Sequence, residues 1–295
     1  MTRSRAALWL PAAAAVLAAA CAACGLFWPA GGEQFQFLTV HGVPVTIHGS
    51  GLYRFDTPVA ALGFRGADLV TLFAAVPILA VSVVLHARGS RRAAHVAAGA
   101  LVYLVYNYAS MAFGASYNSL FIGYLAVLAT GLLGLLAVLR GIDGEEIADR
   151  FGPSRPARGA GIFLVVCGAI LALIWLGLSI VPALLAGTVA PEAVYSTTFV
   201  TGALDTAIVG PLLAAAGILV LRRRPLGYRV LPAVLVFPCI IGPTLAVGGI
   251  LQLASGVITP GQAGAMTAPF VALTIAAAVF AAGVFRRLGP SGGRK

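Results

Sequence analysis

Residues 212–237 read LLAAAGILVLRRRPLGYRVLPAVLVF. Two apolar runs meet at Arg222, Arg223 and Arg224, with Arg229 following shortly after. Guanidinium groups are too costly to leave in hydrocarbon, and the runs on either side are too apolar to face water. The stretch therefore reads as two membrane helices joined at a membrane–water boundary. The same pattern extends along the chain in both directions. Apolar segments fall at about 7–28, 67–86, 94–113, 119–139, 159–182, 201–221, 230–255 and 265–285, each near the ~20 residues needed to cross a bilayer.

The basic residues set the orientation. Arg3 and Arg5 precede the first segment, Arg88, Arg91 and Arg92 lie between the second and third, and Arg140, Arg150, Arg155 and Arg158 between the fourth and fifth. Arg286, Arg287, Arg294 and Lys295 follow the last. With eight crossings, 17 of the 19 Lys and Arg residues fall on one face, which the positive-inside rule makes cytoplasmic, and only Arg54 and Arg65 remain outside. The expectation is an all-α membrane protein with eight transmembrane helices, both termini cytoplasmic, and one membrane domain over 1–295. The first segment is read as a retained helix because its apolar stretch is long for a signal core.

Composition agrees. Hydrophobic residues make up 60% of the chain and charged residues 9%, against about 25% in a soluble domain, so lipid is the main solvent. The net charge of +10 sits at segment ends, where it orients helices and meets anionic headgroups. It does not form a basic face interleaved with stacking aromatics, so no nucleic acid is expected. The implied partners are membrane lipids, with a small molecule or ion as the candidate ligand. Arg outnumbers Lys heavily and Ala is abundant, pointing to a bacterial cell membrane.

The one sizeable outer piece, 29–66, contains FQFLTVHGVPVTIH (35–48). Its two β-rich runs flank His41-Gly42, which predicts a hairpin with a two-residue turn, lying as a small lid over the helix ends. GSGLYRFD (49–56) follows as a glycine-punctuated turn. On the inner side DGEEIADRF (143–151) predicts a short surface helix opened by a capping box from Asp143 to Glu146.

Segments two and six align on Pro77 and Pro211, with an Arg 11 residues after each proline and Asp68 and Asp205 before them. This alignment predicts a parallel 4+4 repeat. Asp68 and Asp205 are expected to pair with Arg54 or Arg65. In segment three Tyr103, Tyr106, Asn107 and Ser110 share a helical face, one wall of a polar cavity or interhelical glue. Segment seven carries Pro232, Pro238 and Pro243 and is expected to be broken. The candidate outer cavity or lid set is Arg54, Asp56, Arg65, Asp68, Tyr103, Tyr106, Asn107 and Asp205.

Cys21 and Cys24 form a C-x-x-C near the end of a helix, where no N-terminal dipole activates a thiol, and read as structural. His41 and His48 lack a third ligand for zinc. No phosphate loop, nucleophile elbow or metalloprotease pattern is present, so no catalytic residue, metal or cofactor is expected.

GLYRFDT (51–57), FRGADLVTL (64–72) and YNYASMAFGASYNSLF (106–121) resemble a family of uncharacterised multi-pass integral membrane proteins of high-GC, actinobacterial-type bacteria. The resemblance implies fold and location and carries no activity. Two functional readings stand open. One is a small-molecule or ion transporter-like protein with a polar cavity open to the outer face. The other is a non-transport sensor or assembly subunit that binds a partner or lipid through its lid. An enzyme with Asp56 and Asp68 as an acid–base pair ranks third. The inner half offers only His86 and His95 as polar groups, which counts against a transport path.

Overall fold

The structure is a computed structural model that describes residues 4–152, 155–196 and 198–288. Arg3, Arg294 and Lys295 of the basic set lie outside it. Among the described residues eight helices are long and apolar enough to cross a membrane: α1 (Ala6–Phe27), α2 (Pro58–Ala87), α3 (Arg91–Gly114), α4 (Phe121–Arg140), α6 (Ala157–Leu185), α7 (Val200–Leu221), α8 (Pro225–Ala254) and α9 (Pro260–Arg287). Between α4 and α6 lies the short α5 (Gly144–Phe151). The fold is all-α apart from one antiparallel hairpin, β1 (Phe35–Leu38) with β2 (Pro44–Ile47), between α1 and α2.

Helices α1 to α4 pack as a ring in which α1 also touches α4; α6 to α9 follow the same order, with α6 and α9 meeting only lightly. The halves join where α8 packs on α2 and α3, and α3 reaches α7. Of the spanning windows in α3 and α8, 61% and 56% of residues are buried, against 17% in α6 and α9. The core is therefore the α3–α8 pair. Gly66 and Gly248 let α2 and α8 approach backbone to backbone: a Cβ on Gly66 would stand 2.6 Å from Gly248.

Three helices widen to π geometry, at Thr71–Ala75, Leu173–Ile180 and Asp205–Val209. Each widening ends two residues before a proline. Val76, Val181 and Gly210 donate back five residues, to Thr71, Leu176 and Asp205. Pro77, Pro182 and Pro211 follow at once. A proline ring collides with the carbonyl four residues back and has no N–H to offer it, and the wider turn relieves both problems. Segment seven, expected to be broken, is instead the single unbroken helix α8. Around its prolines Thr274 Oγ1 of α9 donates to Pro238 O (3.2 Å), and Cys239 Sγ of α8 itself to Leu235 O (3.3 Å).

The halves share more than helix order. Counting 134 residues on, Thr71–Ala75 falls on Asp205–Val209, and Val76–Ala87 falls on Gly210–Leu221. Both helices close with the same pair of bonds. Gly89 N donates to His86 O and Ser90 N to Leu85 O; Arg223 N donates to Val220 O and Arg224 N to Leu219 O. Gly89 and Arg223 both take positive φ, 100° and 53°, which glycine tolerates and arginine resists.

Helix α2 starts nine residues before the apolar segment. Thr57 caps it, accepting from Ala60 N (3.4 Å), and Pro58 opens it. The first turns are amphipathic rather than apolar, burying Ala61 and Leu62, so a hydropathy reading misses them. The hairpin turn also differs from expectation. Thr39 N donates to Val43 O and Gly42 N to Thr39 O, giving a three-residue turn with Gly42 at φ 73°. Strand β1 is exposed along its length. The hairpin buries Ile47 and Thr39, and the following turn adds cover over the helix ends with Leu52, Tyr53 and Asp56 buried.

Inside, Asp143 caps α5 through Glu145 N and Glu146 N. The capping box is not completed, because Glu146 turns to Arg91 and Arg150 instead. These two guanidiniums hold the Glu146 carboxyl below its usual range. Phe151 packs against Tyr228 of α8 with ring centroids 5.9 Å apart. The connector thus touches both halves at their inner ends.

Candidate functional site

The polar residues of the outer half form two buried groups on either side of α3. In the first, Tyr103 of α3 points its hydroxyl at Thr71 Oγ1 of α2 (2.9 Å) and at Thr244 Oγ1 of α8 (3.2 Å). In the second, the Asp205 carboxylate of α7 accepts from Tyr106 of α3 (2.9 Å) and from Trp175 Nε1 of α6 (2.8 Å). Tyr106 also meets Phe237 of α8 edge-on. Each group therefore spans both halves and includes the first residue of a π turn. By helix rise Thr71 and Asp205 stand about 24 Å from the C-terminal ends of their helices.

The expected aspartate–arginine pairs are absent. Among the described residues every salt bridge is made by Glu146. Asp68, 1% exposed, instead accepts from Tyr53 (2.7 Å). The reason is local. The lid turn folds Tyr53 inward against Phe64, while Arg54 turns out over the Phe55 ring. Asp68 fits because α1 carries Gly25 opposite it, where a Cβ would overlap the carboxylate. Both aspartates thus take their side-chain hydrogen bonds from neutral donors only.

Asp56 clamps the lid to the α3–α4 loop rather than to Asp68. Its Oδ1 accepts from Ser116 N (2.8 Å), and Ser116 Oγ donates to Phe55 O (3.0 Å). Burial raises its pKa to about 6, against the opposing pull of Ser116. Its separate engagement removes the acid–base pairing with Asp68. Asn107 is buried, but its amide nitrogen lies 3.9 Å from Met111 Sδ on its own helix and does not join the Asp205 group.

Of the eight predicted residues, Tyr106 and Asp205 come together at the interface between halves, and Tyr103 joins a separate group there with Thr71 and Thr244. Asp68 and Asp56 belong to the lid attachment, and Arg54 and Arg65 are exposed. Thr71, Thr244 and Trp175 were not anticipated. Thr71 was within reach of the proline alignment, since it stands six residues before Pro77 as Asp205 stands six before Pro211. The repeat counterpart of Asp205 is therefore Thr71, not Asp68.

A chamber of about 80 Å³ lies under the lid turn, between the end of α1 and Arg65 of α2. Gly25 forms part of its wall, with Tyr53, His48 and Ser50. No cluster of His, Cys, Asp and Glu suited to a metal occurs among the described residues, and all four cysteines are free thiols. Set against models of protein families, curated proteins and solved structures, the chain matches none, so the family resemblance stands only in its coarser part, a multi-pass, highly hydrophobic helical protein.

Proposed function

We propose that this multi-pass protein of the bacterial cell membrane, with both termini cytoplasmic, is a transporter-like protein that moves a small solute or ion between its two parallel halves. One observation carries the reading: Asp205, a buried carboxylate held only by Tyr106 and Trp175, sits where the halves meet and where the α7 backbone widens. Ionisable groups at membrane depth are expensive, and irregular helix at a repeat interface is where transporters place their sites. Thr71 and Tyr103 supply the matching neutral position in the first half. On this reading the conformation is a closed one, because both groups are satisfied internally.

The test uses the purified protein in liposomes carrying a pH-sensitive or sodium-sensitive dye, with an imposed potassium diffusion potential. Proton or sodium entry should exceed that of empty liposomes and fall at least tenfold in Asp205→Asn. Entry equal to empty liposomes for both ions rejects the reading.

The second reading, a sensor or assembly subunit acting through its outer lid, draws on the hairpin. Phe35, Phe37, Leu38 and Val40 are exposed there, outside the helix bundle.

A further inference from the structure

The chamber under the lid has a chemistry of its own, separate from the interface between the halves. Its walls are the end of α1 (Gly25, Leu26, Trp28, Ala30), the turn from His48 to Tyr53, and Arg65. Arg65 is the only charged residue lining it. Among the described residues no carboxylate lies within salt-bridge distance of its guanidinium. Asp68, three residues on, gives its Oδ2 to Tyr53.

His48 and Ser50 also line it, each with hydrogen-bonding capacity left over. His48 Nδ1 is buried without a hydrogen-bond partner. Burial and the nearby Arg65 lower the His48 pKa, so the ring is neutral at pH 7 and has an N–H or a lone pair to offer. Ser50 Oγ accepts from Gly31 N (3.3 Å), which leaves its own proton free to donate. The turn is held by left-handed Gly49 and Gly51, and Gly49 N is tied to Arg54 O. A Cβ at Gly49 would run into the backbone of Glu33, so the turn cannot be built without that glycine.

We propose that this chamber is a binding site for a small oxyanion, a carboxylate or phosphate group, clamped by Arg65 and hydrogen-bonded by His48 and Ser50. The planar guanidinium fork matches such groups in two-point geometry, which a spherical halide does not exploit. Size narrows the class. About 80 Å³ is far below the ~300–1,000 Å³ of pockets for drug-sized ligands, so one acetate- or phosphate-sized group fills it. The chamber lies at the outer end of the bundle, where such a group reaches it either free in solution or as a lipid headgroup. The site stands whether or not the protein conducts ions, because binding is read without any flux.

The test uses the full-length protein in phosphatidylcholine nanodiscs. Sodium phosphate and sodium acetate are titrated at ionic strength held constant with sodium chloride, and the unfolding temperature is followed. A saturable rise is expected in the wild type and in Arg54→Gln, whose side chain lies outside the chamber. In Arg65→Gln half-saturation should weaken at least tenfold, and in Arg65→Lys by less. His48→Leu, which removes the ring nitrogens at similar volume and leaves Arg65 in place, should weaken it similarly and serves if Arg65→Gln does not fold. A second arm replaces part of the lipid with phosphatidylglycerol. Arg65-dependent stabilisation seen only there identifies the oxyanion as a headgroup. Stabilisation in neither arm, or stabilisation of Arg65→Gln and His48→Leu equal to that of the wild type, overturns the proposal.

Discussion

Thr71 and Asp205 hold one position in the two halves of the chain, 134 residues apart. Each opens a π turn six residues before a proline, and each bonds a tyrosine hydroxyl from α3, Tyr103 for Thr71 and Tyr106 for Asp205. One position thus carries a neutral hydroxyl in one half and a carboxylate in the other. The shared geometry is what a parallel repeat would produce, with a different side chain at the equivalent position.

This pair separates sharply under mutation. Thr71→Val leaves Tyr103 bonded to Thr244 and should lower stability by less than about 1 kcal/mol. Asp205→Ala strips Tyr106 and Trp175 of their acceptor together, and should cost about 1–3 kcal/mol, a fall of several degrees in detergent. Thermal unfolding followed by tryptophan fluorescence checks both, and equal losses would contradict the asymmetry.

Gly25 is predicted to be intolerant of any side chain. A Cβ there overlaps the Asp68 carboxylate and stands 3.0 Å from the Tyr53 hydroxyl. Gly25→Ala should destabilise by about 1–3 kcal/mol, as overpacking does. Gly31→Ala, with nothing within 4 Å of its Cβ, should leave the unfolding temperature unchanged.

The lid attachment should respond to pH through two opposing groups. The Asp56 pKa is raised in the folded state to about 6, so its contribution is fully present below the unfolded value near 3.8 and is lost as pH rises through about 6. The His48 pKa is lowered, so its contribution is present above 6.5 and is lost as pH falls through the folded value. Asp56→Asn keeps an acceptor for Ser116 N and removes the first effect. Hydrogen exchange of the Ser116 amide, corrected for intrinsic rate, should then show the lid loosening only on acidification. Loosening of Asp56→Asn between pH 5 and 7 on alkalinisation would refute the assignment.

Orientation is open to a direct test. In a background with Cys21, Cys24, Cys167 and Cys239 replaced, His41→Cys should react with an impermeant thiol reagent in intact cells, and Arg222→Cys only after permeabilisation. Labelling at position 222 in sealed cells rejects the cytoplasmic assignment of that loop.

Much of the architecture was legible in the chain itself. Hydrocarbon accepts only long apolar helices, so hydropathy alone separates eight spans. Guanidiniums avoid that medium, so Arg222–Arg224 and their counterparts mark the boundaries. Pro77 and Pro211 announced the correspondence between the halves, because proline acts on the backbone of its own helix. What the tertiary structure decided was pairing. Whether Asp68 meets Arg65 or Tyr53 depends on Gly25 from another helix and on how a glycine turn folds inward. Whether prolines break α8 depends on the helices packed around it, and in the fold it runs unbroken from Pro225 to Ala254. Thr244 and Trp175 look like ordinary members of apolar helices until α3 brings Tyr103 and α7 brings Asp205 within hydrogen-bond reach. Solvent preference is a property of each segment alone, and so can be read from sequence; a hydrogen-bond partner belongs to two segments at once, and only packing names it.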